Sequence, residues 1–180
     1  MANYALLTAC GKDRPGIVAG IARVLLENDC NIEDSQSTRL GPNFACMLAI
    51  RMPEGMVGEQ LAERFEAVSA ELGLWVDIHD LRPEEAGETQ ADAPRHIIRV
   101  YGADRKGIVH GITRCLAEHG INVTSLLTEV VRHESPLYVM LIEVEVPSYM
   151  DTNRLGQELS AIGRDLDVVV SIKPKADARF

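Results

Sequence analysis

One pattern occurs twice in this chain, and the repetition limits the possible folds more than any compositional figure. Gly11-Lys12-Asp13-Arg14-Pro15-Gly16-Ile17-Val18-Ala19-Gly20-Ile21 returns 91 residues later as Gly102-Ala103-Asp104-Arg105-Lys106-Gly107-Ile108-Val109-His110-Gly111-Ile112. That period exceeds the roughly 20–50 residues of a solenoid or propeller unit and suits a small domain. The 180 residues therefore read as one domain built twice, over 1–81 and 95–180. Between them, 82–94 has no large apolar residue and ends in Pro94, which predicts a solvated linker.

The likeness continues beyond the loop. Ile17, Val18, Ile21, Val24 and Leu25 fall at helical spacing, as do Ile108, Val109, Ile112, Cys115 and Leu116. Gly120 suits the left-handed end of the second of these helices. Farther on the offset becomes 94: Pro42 matches Pro136 and Pro53 matches Pro147. Leu61, Phe65, Val68 and Leu72 match Leu155, Leu159, Ile162 and Leu166 in a second helix. The three extra residues fall between Asn122 and Pro136, in an interval read as a strand pair with a turn, where length can vary.

Each unit thus reads as strand, helix, two strands, helix, strand. The predicted strands of the first are Tyr4–Cys10, Ile32–Arg39, Phe44–Met52 and Leu74–Leu81. Those of the second are His96–Tyr101, Val123–Arg132, Leu137–Val146 and Val168–Lys173. Right-handed crossovers place both helices of a βαββαβ unit on one face of a four-stranded antiparallel sheet. The expected class is α+β, as two tandem ferredoxin-like units.

Composition removes several function classes. The net charge of −9 lies in the first unit, with six basic against twelve acidic residues, and in the linker; from Arg95 onward the two signs balance. Phosphate binding needs a basic surface, so direct nucleic-acid binding is not expected. No apolar run approaches the roughly 18 residues of a membrane span, and no basic-then-apolar leader opens the chain. Cys10, Cys30, Cys46 and Cys115 lie in apolar contexts without a paired spacing, and read as buried hydrophobes in a cytoplasmic protein. None of the five histidines is expected to ligate a metal, and no cofactor is expected.

The repeated loop is the candidate site. Gly11 is expected to let the chain turn after the first strand, Asp13 to cap the helix through the Gly16 amide, and Pro15 to occupy its first turn. Gly16 and Ile17 then present amides at the positive end of the helix dipole, where a carboxylate or phosphate can bind. The same residues are also good capping, and duplication copies caps as readily as sites. Ser35, Ser37 and Thr38 sit on a predicted strand without a nucleophile elbow.

Gly-x-Asp-Arg-Pro-Gly-Ile-Val, a helix and then Asn-Ile, on a βαββαβ unit, resembles the ACT domain. The resemblance covers both units. Among whole chains it is strongest to tandem-ACT proteins of the glycine cleavage system transcriptional repressor type. It implies a non-catalytic sensor that binds a small amino acid between paired domains, with glycine and serine as candidates. Carried over by residue, the binding positions are Asp13, Arg14, Pro15, Gly16, Ile17, Asn31 and Ile32 in the first unit. In the second they are Asp104, Arg105, Gly107, Ile108, Asn122 and Val123, where Lys106 replaces the family's proline. The resemblance also implies a protein partner such as a transcription regulator. Edge strands that often pair leave a homodimer open. A scaffold without a small ligand would share these caps and faces. An acylphosphatase reading rests on Gly16 to Arg23, where the spacing to the arginine is one residue short.

Overall fold

The computed structural model describes residues 3–82, 85, 93–131 and 136–175. Most of the predicted linker 82–94 lies outside them, as do His133 and the strand end expected at Arg132. The chain divides into two compact units, Met1–Gln90 and Ala91–Phe180, with the division inside that predicted linker.

In the first unit β1 (Asn3–Lys12), α1 (Ile17–Glu27), β2 (Asn31–Leu40), β3 (Asn43–Met52), α2 (Gly58–Leu72) and β4 (Leu74–Leu81) follow the expected order. The second unit repeats it with β5 (Arg95–Gly102), α3 (Ile108–Glu118), β6 (Asn122–Val131), β7 (Leu137–Glu145), α4 (Thr152–Asp165) and β8 (Val168–Pro174). The sheets run β2-β3-β1-β4 and β6-β7-β5-β8, with every pairing antiparallel. The α+β expectation of two ferredoxin-like units holds. β2 and β6 have equal length, so the extra residues fall between Val131 and Leu137.

Period-two burial explains the layering. Ala5, Leu7 and Ala9 of β1 and Leu48, Ile50 and Met52 of β3 are buried, and they pack with Ile21, Leu25, Leu61 and Phe65 of the helices. The second unit has its own core, with Ile98, Val100, Met140 and Ile142 against Ile112, Leu116, Leu155 and Leu159. Leu74 is buried and Trp75 exposed, as the alternation in β4 predicts.

Two repeated glycines serve close approach. A Cβ on Gly20 would lie 2.7 Å from Leu72 Cδ1 of α2, and one on Gly111 would lie 3.2 Å from Leu166 Cδ1. Gly11 is not at a turn: β1 continues to Lys12, and a Cβ there would stand 2.6 Å from the carbonyl oxygen of Gly73. Its role is therefore backbone contact with the adjoining edge strand.

Both first helices end in the same motif. In α3 the Gly120 N–H donates to Ala117 O and the Ile121 N–H to Leu116 O, with Gly120 at φ +65°. In α1 the Asp29 N–H donates to Leu26 O and the Cys30 N–H to Leu25 O, with Asp29 at φ +54°. These are Schellman ends. The thiols are all free; Cys46 and Cys115 are buried as expected, Cys30 is half-buried, and Cys10 is exposed because it falls on the outward register of β1. No helix among the described residues is long and apolar enough to cross a membrane.

Candidate functional site

Gly16 sits at φ +98°, ψ −10°, and Gly107 at φ +96°, ψ −7°. Both are left-handed N-caps, a conformation that glycine adopts without a Cβ penalty. This turn delays each helix by one residue, so Pro15 precedes α1 instead of lying within its first turn. Asp13 does not cap it: α1 and α3 have no side-chain cap. The first bond along each helix runs from the Gly20 N–H to Gly16 O, and from the Gly111 N–H to Gly107 O. The amides of Ile17, Val18 and Ala19 are thus beyond the reach of intrahelical acceptors.

The other two helices are treated differently. The Gly58 N–H at the start of α2 donates to Asp80 Oδ1 at 2.8 Å. Asp151 Oδ1 accepts from the Asn153 and Arg154 amides at the start of α4. Among the described residues, the fold supplies a carboxylate to α2 and α4 and none to the helices that follow the repeated loops.

Next to the α1 start lies a groove of about 110 Å³ between α1 and β2. Val18 and Ala22 form its helix wall, Ile32, Ser35 and Ser37 its strand wall, and Cys46 and Leu48 its floor. A bulge builds the strand wall: the β2 register slips between Ile32 and Asp34, leaving Glu33 unpaired. The slip puts Ile32, Ser35 and Ser37 on one face, opposite Ile50, Leu48 and Cys46. Val18, expected in the core, is 62% exposed because it lies on this flank. Two residues beyond Ser37 on β2, Arg39 Nη1 lies 3.6 Å from an Asp13 carboxylate oxygen.

The second loop differs in chemistry. By register, Leu126, Thr128 and Met140 stand where Ser35, Ser37 and Cys46 stand in the first unit. Val130 stands at the place of Arg39. Asp104 instead faces Tyr138, whose phenol is pushed up by burial and then by that carboxylate.

Arg14, Arg105 and Asn31 have structural partners. The Arg14 guanidinium donates to the Glu71 carbonyl oxygen, tying the loop to the end of α2. Arg105 reaches Asp167 Oδ2 at 2.9 Å near the end of α4. Asn31 donates to Glu33 Oε1 at 3.0 Å, and Arg51 Nε reaches the same atom at 2.7 Å. Hydrogen bonds from Asn31 and then Arg51 hold the Glu33 carboxyl below the usual carboxylate range.

Within one unit the predicted residues form two sets at opposite ends. Gly11 pairs with Phe44 and Arg39 with Phe44, whereas Asn31 pairs with Arg51 and Tyr4 with Arg51. The helix between them rises about 16 Å at 1.5 Å per residue. Asp13, Gly16 and Ile17 gather at one end, Asn31 at the other, with Ile32 on the groove wall. Asn122 and Val123 hold the corresponding far positions in the second unit.

Sequence reasoning singled out Ser35 and Ser37 as strand residues and missed Arg39 as the partner of Asp13; the apolar Ile32 followed by serines three and five residues on was the available sign of a groove wall. It also missed the grouping of Cys115, His119 and Glu158, whose donor atoms lie within 4.8 Å of one another. The spacing of four between Cys115 and His119 on a predicted helix would have exposed half of it. A wider groove of about 940 Å³ lies between α4 and β8, lined by Asn153, Gln157, Ser160 and Arg164 and by no residue of the second loop.

Comparison with known proteins supports the duplication. The glycine cleavage system transcriptional repressor of Escherichia coli strain K12 is 24% identical over 174 residues, covering 94% of this chain and 89% of that protein. A UPF0237 protein of Methanopyrus kandleri is 42% identical over 71 residues, or 39% of this chain and 79% of that protein. An unknown protein from Galdieria sulphuraria superposes with a TM-score of 0.80 at 23% identity, over 98% of this chain and 100% of that one. A solved structure provisionally named as a glycine cleavage system transcriptional repressor gives 0.73 at 23% identity, over 98% and 99%. Both structural likenesses show the fold. Residues 3–79 and again residues 96–163 match the ACT domain. With two such matches spanning most of its length, the chain belongs to the ACT domain family and carries two ACT domains in tandem.

Proposed function

We propose that the chain is a non-catalytic regulatory protein whose first ACT unit binds a small amino acid at the start of α1. The observation that carries this reading is a groove whose helix wall includes Val18 of the uncapped first turn of α1 and whose strand wall continues beyond Ser37 to Arg39, the ion-pair partner of Asp13. The ligand carboxylate fits the amides of Ile17, Val18 and Ala19, where the helix dipole favours negative charge. The ligand ammonium fits Asp13. Arg39 gives way at low cost, because exposed ion pairs contribute about 0–1 kcal/mol. The rest of the ligand lies against Val18, Ser35 and Ser37. A narrow groove with Ser35 and Ser37 on its wall suits glycine, which brings no side chain, or serine, whose hydroxyl can bond to them.

The second loop, with Leu126 and Met140 in place of Ser35 and Cys46, is not the preferred ligand site. Binding shifts the protein between arrangements with different affinity for a protein partner. The name of the Escherichia coli relative supports a transcription regulator as that partner and glycine metabolism as the context. The acidic chain does not contact nucleic acid directly, and it acts in the cytoplasm.

The test is a thermal-shift screen against the twenty amino acids. One or two small amino acids raise the melting temperature, because a ligand that binds only the folded state stabilises it. The shift is lost in Asp13→Ala and retained in Asp104→Ala. Absence of any shift would refute the sensor reading in favour of a ligand-free scaffold.

A further inference from the structure

We propose that Cys115, His119 and Glu158 form a binding site for a borderline-soft divalent transition-metal ion, with zinc as the best match to a sulfur, nitrogen and oxygen donor set. Cys115 lies in the last turn of α3, His119 follows four residues later as its C-cap, and Glu158 faces them from α4. Their donor atoms lie within 4.8 Å of one another.

Comparing the two units separates this arrangement from helix capping. The first unit has Val24, Asn28 and Arg64 at the three corresponding places. Asn28 Nδ2 donates to Val24 O at 2.8 Å, and His119 Nδ1 makes the same bond to Cys115 O at 2.8 Å. Capping requires one donor, which asparagine supplies. Histidine adds a second ring nitrogen, and His119 Nε2 lies 3.1 Å from Glu158 Oε2. The second unit thus replaces a valine, an asparagine and an arginine by a thiol, an imidazole and a carboxylate that converge.

The geometry is close to that of a tetrahedral centre. Bonds of about 2.0–2.1 Å to nitrogen and oxygen separate those atoms by about 3.3 Å, and a bond of about 2.3 Å to sulfur sets sulfur and nitrogen about 3.6 Å apart. The imidazole–carboxylate separation already matches, and closing the 4.8 Å span needs an adjustment of about 1 Å. The supporting bonds are also present. Donation from Nδ1 to a backbone carbonyl leaves the Nε2 lone pair to face the metal. Arg154 Nε, 3.1 Å from Glu158 Oε1, orients the carboxylate through its other oxygen. The His119 and Glu158 side chains are 29% and 35% exposed, which admits the ion and leaves the fourth position to water. Burial, then Glu158 and Glu118, push the Cys115 thiol up, while Arg114 opposes them. On binding, the sulfur–hydrogen bond is replaced by a sulfur–metal bond and the thiol proton leaves to solvent. No electron is transferred. The thiolate favours zinc-like ions over magnesium or calcium.

The experiment titrates the full chain, stripped by chelator, with cobalt(II) as the spectroscopic probe, followed by zinc competition. The expected result is a thiolate-to-cobalt charge-transfer band that saturates at one equivalent and is abolished by zinc. His119→Asn and Cys115→Val place the first unit's own residues in the second, so the cap and the core are kept. Each should weaken binding by at least about 100-fold, the upper range for loss of an outer-shell partner. Cys30→Ser should leave the band unchanged. The proposal is overturned if the wild type shows no such band, if the band survives in Cys115→Val, or if His119→Asn weakens binding less than threefold.

Discussion

Replacing Gly16 by alanine tests the central structural claim, that the α1 start is a left-handed turn whose cost falls on the backbone alone. A Cβ at Gly16 would meet nothing within 4 Å, so no steric penalty arises. A left-handed conformation costs an L-residue about 1–2 kcal/mol. Alanine also restricts the unfolded chain, which returns about 0.4–1 kcal/mol. The net destabilisation is therefore about 1 kcal/mol, equivalent to about 4–8 °C in melting temperature for a unit of this size. Gly107 has the same dihedral angles, and its nearest Cβ neighbour is Leu166 Cδ2 at 4.0 Å. Gly107→Ala should therefore cost the same. Urea unfolding measures both, with Trp75, the single tryptophan of the chain, reporting on the first unit and far-ultraviolet circular dichroism on the whole. The reasoning is refuted if Gly16→Ala leaves the transition unmoved, or if Gly107→Ala costs several times more than Gly16→Ala. The ligand response should separate the pair: Gly16→Ala reorients the amides beside the groove and weakens the amino-acid shift, whereas Gly107→Ala leaves it intact.

Further outcomes follow from other residues. Gly11→Ala forces a Cβ to within 2.6 Å of a backbone carbonyl oxygen and should destabilise by about 1–3 kcal/mol in the same assay, more than Gly16→Ala. Asp29→Gly relieves a left-handed residue that the second unit fills with Gly120, and should raise the unfolding free energy by up to about 1 kcal/mol. Ser35→Leu gives the first groove the residue found in the second; the amino-acid shift should vanish while stability by urea unfolding stays within about 0.5 kcal/mol, the range of ordinary surface changes. Because the Glu33 carboxyl is held low in the folded state, its contribution is present above the ordinary glutamate value of about 4.3 and is lost as pH falls below it. Glu33→Gln should flatten that acid limb of the unfolding midpoint.

Much of the fold follows from local rules. The duplicated loop, the period of the apolar residues and the turn glycines each depend on neighbours within a few positions. They define two βαββαβ units and place the strand ends among the described residues within a residue or two. The ACT likeness rests on the same local pattern. What the sequence alone does not determine is which residues meet. Gly11 reads as a turn residue until the backbone of Gly73 is found against it. Asp13 reads as a cap until the left-handed Gly16 moves the helix start beyond its reach. Asn31 resembles a companion of Asp13 in the family motif, yet within one unit a full helix separates them. Ser35 becomes a groove wall only because a bulge at Glu33 shifts the face of every residue after it. His119 and Glu158, about forty positions apart, meet because α3 and α4 pack side by side. Periodicity is a property of the chain, whereas register, bulges and helix contacts arise from pairing distant segments, and they decide where the chemistry lies.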